Sequence, residues 1–244
     1  MNKRWEILPI DEKKQILLEK NLHISSSLAE ILTRKNLDEN SAKLFLNPTK
    51  IPYHDPFLLK DMEKACQRLL LALKNKEKIC IYGDYDVDGV SSTALLMTVF
   101  TKLGFNIDYY LPDRHSEGYG LHIESLQKLI PKYDLLITVD CGITALDEVD
   151  YAKDKIDMII TDHHLPREIL PDAFAIINPT QTQCNYPNKN LCGVGVAFKL
   201  CQGLYQSLNK DIHELENYLD IVALGTIADI VPLVDENRRI VKKD

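Results

Sequence analysis

Between residues 78 and 160, short apolar runs alternate with stretches of helical period, and few architectures accept that alternation. Ile79-Cys80-Ile81-Tyr82 is a continuous apolar run, as in a strand buried on both faces. Leu96, Val99, Phe100 and Leu103 then recur at helical spacing, with Gly104 as a stop. Ile107 to Leu111, Leu135 to Val139 and Met158 to Ile160 read as further strands, separated by helices at Leu121 to Ile130 and Ile143 to Ala152. This order predicts an α/β domain, a mostly parallel sheet with helices on both faces. Two more helices are expected at 191–208 and 215–229, the second closed by Pro232.

Upstream the pattern is helical. Ser25-Ser26-Ser27 before Leu28 and Asn40-Ser41 before Ala42 look like helix entries, and Met62 to Leu73 is amphipathic. Pro48, Pro52 and Pro56 make 47–57 an irregular connector. The expected organisation is an N-terminal helical region over 1–76 packed on a core domain over 77–234, with 235–244 opening a further helix.

Charge narrows the function classes. Asp and Glu number 36 against 29 Lys and Arg, a net charge of −7, whereas a protein that simply coats nucleic acid is usually basic. Any phosphate affinity must then come from bound cations or from other parts. The six cysteines show no C-x-x-C spacing, which argues against a structural zinc site and for buried reduced thiols at Cys80 and Cys141. No apolar run approaches membrane-spanning length and no signal peptide opens the chain, so a cytoplasmic protein without membrane contact is expected.

Ligands of open parallel sheets gather beyond the carboxyl ends of the strands. There the chain places Gly83-Asp84-Tyr85-Asp86-Val87-Asp88-Gly89 after the first strand, Asp140-Cys141-Gly142 after the third and Thr161-Asp162-His163-His164 after the fourth. Each segment alone has a bland reading: an acidic turn, a helix N-cap at Asp140, a surface histidine. Carboxylates delivered together from three strand ends would repel unless a cation compensates. Oxygen ligands with one or two imidazoles suit Mn²⁺ or Mg²⁺, and a pair of such ions serves displacement at phosphorus.

These three segments resemble the first motifs of the DHH phosphoesterase superfamily. More narrowly the chain resembles its RecJ type, single-strand-specific exonucleases running 5′ to 3′. The likeness extends to Asp55-Pro56-Phe57, Glu117-Gly118-Tyr119-Gly120-Leu121, Asn178-Pro179, Cys192-Gly193-Val194-Gly195-Val196-Ala197-Phe198-Lys199 and Leu224-Gly225-Thr226-Ile227-Ala228-Asp229-Ile230-Val231-Pro232-Leu233. It implies that Asp84, Asp86, Asp88, Asp140, His163 and Asp229 surround two metal ions, Mn²⁺ or Mg²⁺, with Asp84 and His164 in the chemical step. Asp229 is known only through the resemblance; by spacing it is a polar residue ending an apolar helix. Arg114 and His115 are candidates for substrate phosphate, with a solvated loop as the alternative. Gly193 and Gly195 either ease helix entry or expose amides to phosphate.

The implied function is a single-stranded DNA exonuclease core releasing 5′-mononucleotides in recombination and repair. Members of the family continue into a glycine-rich DHHA1-type domain and an oligonucleotide-binding barrel, so a fragment or trimmed core is expected, with single-strand-binding protein or helicase partners engaged through those other regions. Within the superfamily the alternatives are an oligoribonuclease, a cyclic-dinucleotide phosphodiesterase and a pyrophosphatase. Outside it stand an inert replication scaffold of the Cdc45 type and a haloacid-dehalogenase-type phosphatase. The first has no use for a full ligand set, the second none for Asp162-His163-His164.

Overall fold

The computed structural model describes residue 6 and residues 9–242, so Lys243 and Asp244 of the expected last helix lie outside the described residues. Two compact units divide the chain, Met1–Pro52 and Tyr53–Asp244.

The smaller unit holds helices α1 (Glu12–Leu22), α2 (Ser26–Arg34) and α3 (Glu39–Leu46) around Leu18, Ala29, Leu32 and Ala42. Each helix begins on a side-chain cap: Asp11 accepts the Lys14 amide, Ser25 that of Leu28 and Asp38 that of Ser41. The third entry is therefore set by Asp38, just ahead of the expected Asn40-Ser41 signal.

In the larger unit, α4 (Met62–Asn75) leads into β1 (Lys78–Tyr82), α5 (Val87–Leu103), β2 (Asn106–Tyr110), α6 (Ile123–Leu129), β3 (Leu135–Val139), α7 (Leu146–Ala152), β4 (Asp157–Thr161) and β5 (Ala175–Ile177). Helices α8 (Gly193–Ser207), α9 (Leu219–Ala228) and α10 (Asp235–Val241) complete it. The domain boundary thus falls near residue 52 and not at 76. Met62, Ala65, Cys66 and Leu69 of α4 join the same core as the sheet, so that helix belongs with it.

All five strands are parallel, in the order β2-β1-β3-β4-β5. Alternate residues serve opposite cores, because successive strand side chains point to opposite faces. Ile79, Ile81, Leu135, Ile137 and Ile159 meet α4, α5 and α8, whereas Cys80, Tyr82, Leu136 and Ile160 meet α6 and α7. α8 is buried from Gly193 to Tyr205, which explains its apolar sequence on every side. The sequence missed β5: three residues between Pro171 and Pro179 are too few to show a period, and its Ile176 amide is satisfied by Asp61 at 3.1 Å. The helix expected from Ile143 begins at Leu146, since Asp162 Oδ2 takes the Ile143 amide at 2.9 Å and holds the preceding turn open. All six cysteines are buried and free, and among the described residues no helix is long and apolar enough to cross a membrane.

Candidate metal centre

Strand order reverses between β1 and β3, and in open parallel sheets ligands gather beyond the carboxyl ends of the strands at such a switch point. Parallel register pairs Tyr82 with Thr138 and Val139 with Thr161, which brings the three motif-bearing strand ends level. The segments beginning at Gly83, Asp140 and Asp162 therefore leave the sheet side by side.

After β1, Asp86 caps α5 by accepting the Gly89 amide at 2.9 Å. Within the first turn of that helix, buried Asp88 is gripped by another helix: the Gly193 and Val194 amides of α8 donate to its two oxygens at 2.5 and 2.8 Å. First-turn amides lack partners within their own helix and carry the positive end of its dipole, so a carboxylate is well placed there. The Gly193 amide is thus taken by Asp88, contrary to the expectation that it stands free for phosphate. Glycine is required at this position because a Cβ would lie 2.7 Å from Asp140 Oδ1. Gly195 is buried, and a Cβ there would meet Leu191 at 3.2 Å, so its role is packing.

Asp140 adopts a left-handed backbone, φ 60°, which non-glycine residues rarely accept. That turn aims its buried carboxylate back over the sheet, 3.1 Å from His163 Nε2. Burial first, then the neighbouring Asp88, pushes the Asp140 carboxyl up to about 10. Burial likewise raises Asp84, Asp88 and Asp229. Asp229 follows α9 as its C-cap residue, and its Oδ2 lies 3.7 Å from His163 Nε2. Its neighbours Ile227 and Ile230 are exposed.

Ligand atoms of Asp84, Asp86 and Asp140 all lie within 4.8 Å of one another, and so do those of Asp88, His163 and Asp229. The two sets share no residue; a third set of Asp140, His163 and His164 joins them. Asp84 Oδ1 is buried without a hydrogen-bond partner, and Asp140 Oδ1 and His163 Nε2, though 3.1 Å apart, form no hydrogen bond with each other or with any other group among the described residues. Ion-pair contacts of the cluster are with histidines, and no Lys or Arg among the described residues balances it. Buried acceptors left unmade are costly. Buried oxygens and a ring nitrogen brought within 4.8 Å of one another in each set fit a pair of hard cations.

His164 is half out of the cluster. Its Nδ1 lies 2.7 Å from Asp162 Oδ1, and that hydrogen bond is the main reason its pKa is raised to about 9. Asp162 itself is lowered: burial opposes ionisation, but the bonds from His164 and from the Ile143 and His164 amides outweigh it. The Tyr119 hydroxyl stands 3.2 Å from His164 Nδ1 and 3.3 Å from the Asp140 carbonyl. Sequence reading missed these two supporting roles. Asp162 was visible as the residue before the histidine pair, whereas Tyr119 stood only within the resembling segment Glu117 to Leu121, with no role attached to it. The loop carrying Tyr119 is fixed by Glu117, which accepts from Ser125 and Tyr110 and is lowered to about 2, and by Gly118 and Gly120 at φ 82° and 91°. Arg114, exposed, lies over the Tyr85 ring at 5.4 Å and so borders the first motif. His115 is exposed, and its amide donates to Asp113 at 3.1 Å.

The family described as "DHH family, N-terminal domain" matches residues 78–226. The single-stranded-DNA-specific exonuclease RecJ of Bacillus subtilis is 45% identical over 240 residues, covering 97% of this chain and 30% of that protein. The Haemophilus influenzae protein of the same name is 43% identical, covering 86% and 36%. This chain thus spans about a third of the length of these relatives. Among solved structures, exonuclease RecJ bound to manganese is 36% identical with a TM-score of 0.70, over 75% of this chain and 46% of that one. RecJ of Thermus thermophilus in complex with Mn²⁺ is 28% identical with a TM-score of 0.82, over 98% and 34%. The matched segment carries every proposed ligand except Asp229, together with the α8 clamp on Asp88, and the chain belongs to the DHH family.

Proposed function

We propose that this chain is the catalytic core of a metal-dependent phosphodiesterase acting on single-stranded DNA from its 5′ end and releasing 5′-mononucleotides. The observation that carries this reading is the pair of disjoint ligand sets joined through Asp140, with three buried ligand atoms lacking hydrogen bonds. Asp84, Asp86 and Asp140 would hold one Mn²⁺ or Mg²⁺, and Asp88, His163 and Asp229 the other. Bound there, the ions would neutralise phosphate oxygens and acidify a water for attack.

The chain's own groups divide the remaining work. The α8 amides hold the Asp88 carboxyl in place and oppose, without overcoming, the upward push of burial on its acidity. Asp162 fixes the ring of His164 through Nδ1, which leaves Nε2 to face a phosphate oxygen or leaving group. Arg114, stacked on Tyr85, offers its guanidinium to a neighbouring phosphate. With a net charge of −7 and aromatics at only 7%, the sequence offers no basic run interleaved with aromatics to grip the strand away from the metals. This chain alone would therefore bind weakly, in a salt-dependent manner, and cleave distributively. Single-strand-binding protein or helicase partners would engage other regions of a longer protein, working in recombination and repair in the cytoplasm.

The test offers 5′-labelled single-stranded DNA, RNA and duplex DNA to the chain with Mn²⁺ or Mg²⁺ and follows product size. Mononucleotides from single-stranded DNA, abolished by EDTA, are expected. Preference for RNA would redirect the reading to an oligoribonuclease, and no metal-dependent product from any substrate would defeat it.

A further inference from the structure

Asp229 differs from the other carboxylates in how it is held. Asp86 and Asp88 accept backbone amides, whereas the Asp229 side chain has no hydrogen-bond donor among the described residues, and its ion-pair contact is with His163. Its place is therefore set by the backbone that follows α9. There Ile230 takes φ 59°, a left-handed value that a β-branched residue holds only under constraint. The Ile230 side chain is 87% exposed, so its own packing is not the constraint.

The constraint comes from α10. Buried Asn237 donates from Nδ2 to the carbonyls of Pro232 at 3.1 Å and Asn190 at 2.6 Å, and accepts from Asn188 at 3.1 Å. Beside it, Glu236 is paired with Lys199 at 2.6 Å, both side chains being 0% exposed. Glu236 also accepts from the Tyr186 hydroxyl, and Lys199 donates to Gln202 at 2.9 Å and to the His54 carbonyl at 3.2 Å. Lys199 sits on α8, the helix whose first amides grip Asp88. Asn188 and Asn190 lie in the loop leading into it. One buried polar network thus ties the clamp on Asp88 to the turn that presents Asp229.

We propose that Lys199, Glu236 and Asn237 are positioning residues for Asp229 as a metal ligand, an inference that rests on the two-cation reading of the centre. A buried ion pair is a poor source of stability, since apolar residues of like volume serve as well or better; its better-attested use is to fix register. Sliding α10 by one residue would leave two charges buried without partners, so the turn from 229 to 234 has a single setting. The network holds the second wall of the centre at the distance the first wall requires.

The experiment compares the parent chain with the double variant Lys199→Met/Glu236→Leu, which leaves no unpaired charge, and with Asn237→Ser. Mn²⁺ affinity is measured by calorimetry, melting temperature without metal, and hydrogen exchange at residues 229–234 in metal-free protein. The double variant is expected to melt close to the parent while binding Mn²⁺ about 10–100-fold more weakly, as loss of groups that orient a ligand does. Exchange at 229–234 should quicken in both variants. Unchanged Mn²⁺ affinity in a folded variant, whatever its melting temperature, overturns the positioning role and leaves the metal centre standing. A parent chain that binds no Mn²⁺ overturns the two-cation reading and this inference with it. Should the double variant fail to fold, Asn237→Ser decides by the same readouts.

Discussion

The two ends of the sheet carry similar side chains and treat them in opposite ways. At the amino end, buried Arg68 meets Glu77 and Asp157, each at 2.6 Å, and the Asp134 carboxylate accepts the Lys78 amide at 2.8 Å. At the carboxyl end, burial raises Asp84, Asp88, Asp140 and Asp229 alike, and no guanidinium or ammonium among the described residues answers them. A cleft of about 540 Å³ also lies at the amino end, lined by Lys64, Lys153, Asp154 and Asp172, among others, yet it gathers no ligand cluster among the described residues. Concavity alone does not mark the site. A fixed counter-charge makes an acidic strand end structural, and its omission makes the end a receptor for cations.

The largest test of this contrast is substitution at Asp140. Asp140→Asn should weaken Mn²⁺ binding by about 100-fold or more, at or beyond the upper end of what loss of a supporting group costs. The same change should raise the melting temperature of the metal-free protein at neutral pH, because burial forces the Asp140 carboxyl to stay protonated there and asparagine removes that cost. A fall in both quantities would place Asp140 with the structural acids.

At the other end, Arg68→Ala should lower stability by about 2–3 kcal/mol, less than for a fully enclosed pair because Asp157 is reached by solvent. Chemical denaturation reads the loss, and Mn²⁺ affinity should not move. A change in affinity with Arg68 would mean that the two ends are coupled.

Acidity sharpens the comparison further. His164 is raised from 6.5 to about 9, so its contribution to stability is full below pH 6.5 and lost as pH rises through 9. Asp140, raised to about 10, favours the fold only while protonated, and that contribution also shrinks as pH rises. Both run the same way, so the metal-free chain should melt lower at pH 9 than at pH 6.5. The Mn²⁺-induced rise in melting temperature should grow over that interval, since the cation displaces protons. A metal-free protein that gains stability across this window would contradict the unbalanced cluster.

A smaller effect separates the histidines. His163→Ala should weaken Mn²⁺ affinity and turnover together, whereas His164→Ala should spare affinity and lower kcat. Equal losses of affinity in both variants would erase the division.

Much of this was legible in the sequence because the signals were local. Four strands announced themselves as apolar runs, and parallel register then carried their trailing residues to one edge. The acidic motif after β1 keeps ligands and helix cap within five residues, so spacing alone flagged it. What stayed hidden depends on distant partners. Asp229 is brought in by α9 from far beyond Asp88 in the chain, and only the resemblance pointed to it. Gly193 reads as an ordinary helix-entry glycine until Asp88 and Asp140 are seen to crowd it. Tyr119 and the Lys199–Glu236 pair likewise have no periodic or spacing signature.

The central claim is that the carboxyl end of the sheet is completed by two cations. Crystals of the chain grown with Mn²⁺, with diffraction recorded at the manganese absorption edge, test it most directly. The account predicts two anomalous peaks about 3.5–4 Å apart, one among Asp84, Asp86 and Asp140 and the other among Asp88, His163 and Asp229. Peaks elsewhere, or none at a Mn²⁺ concentration that supports cleavage, would contradict it.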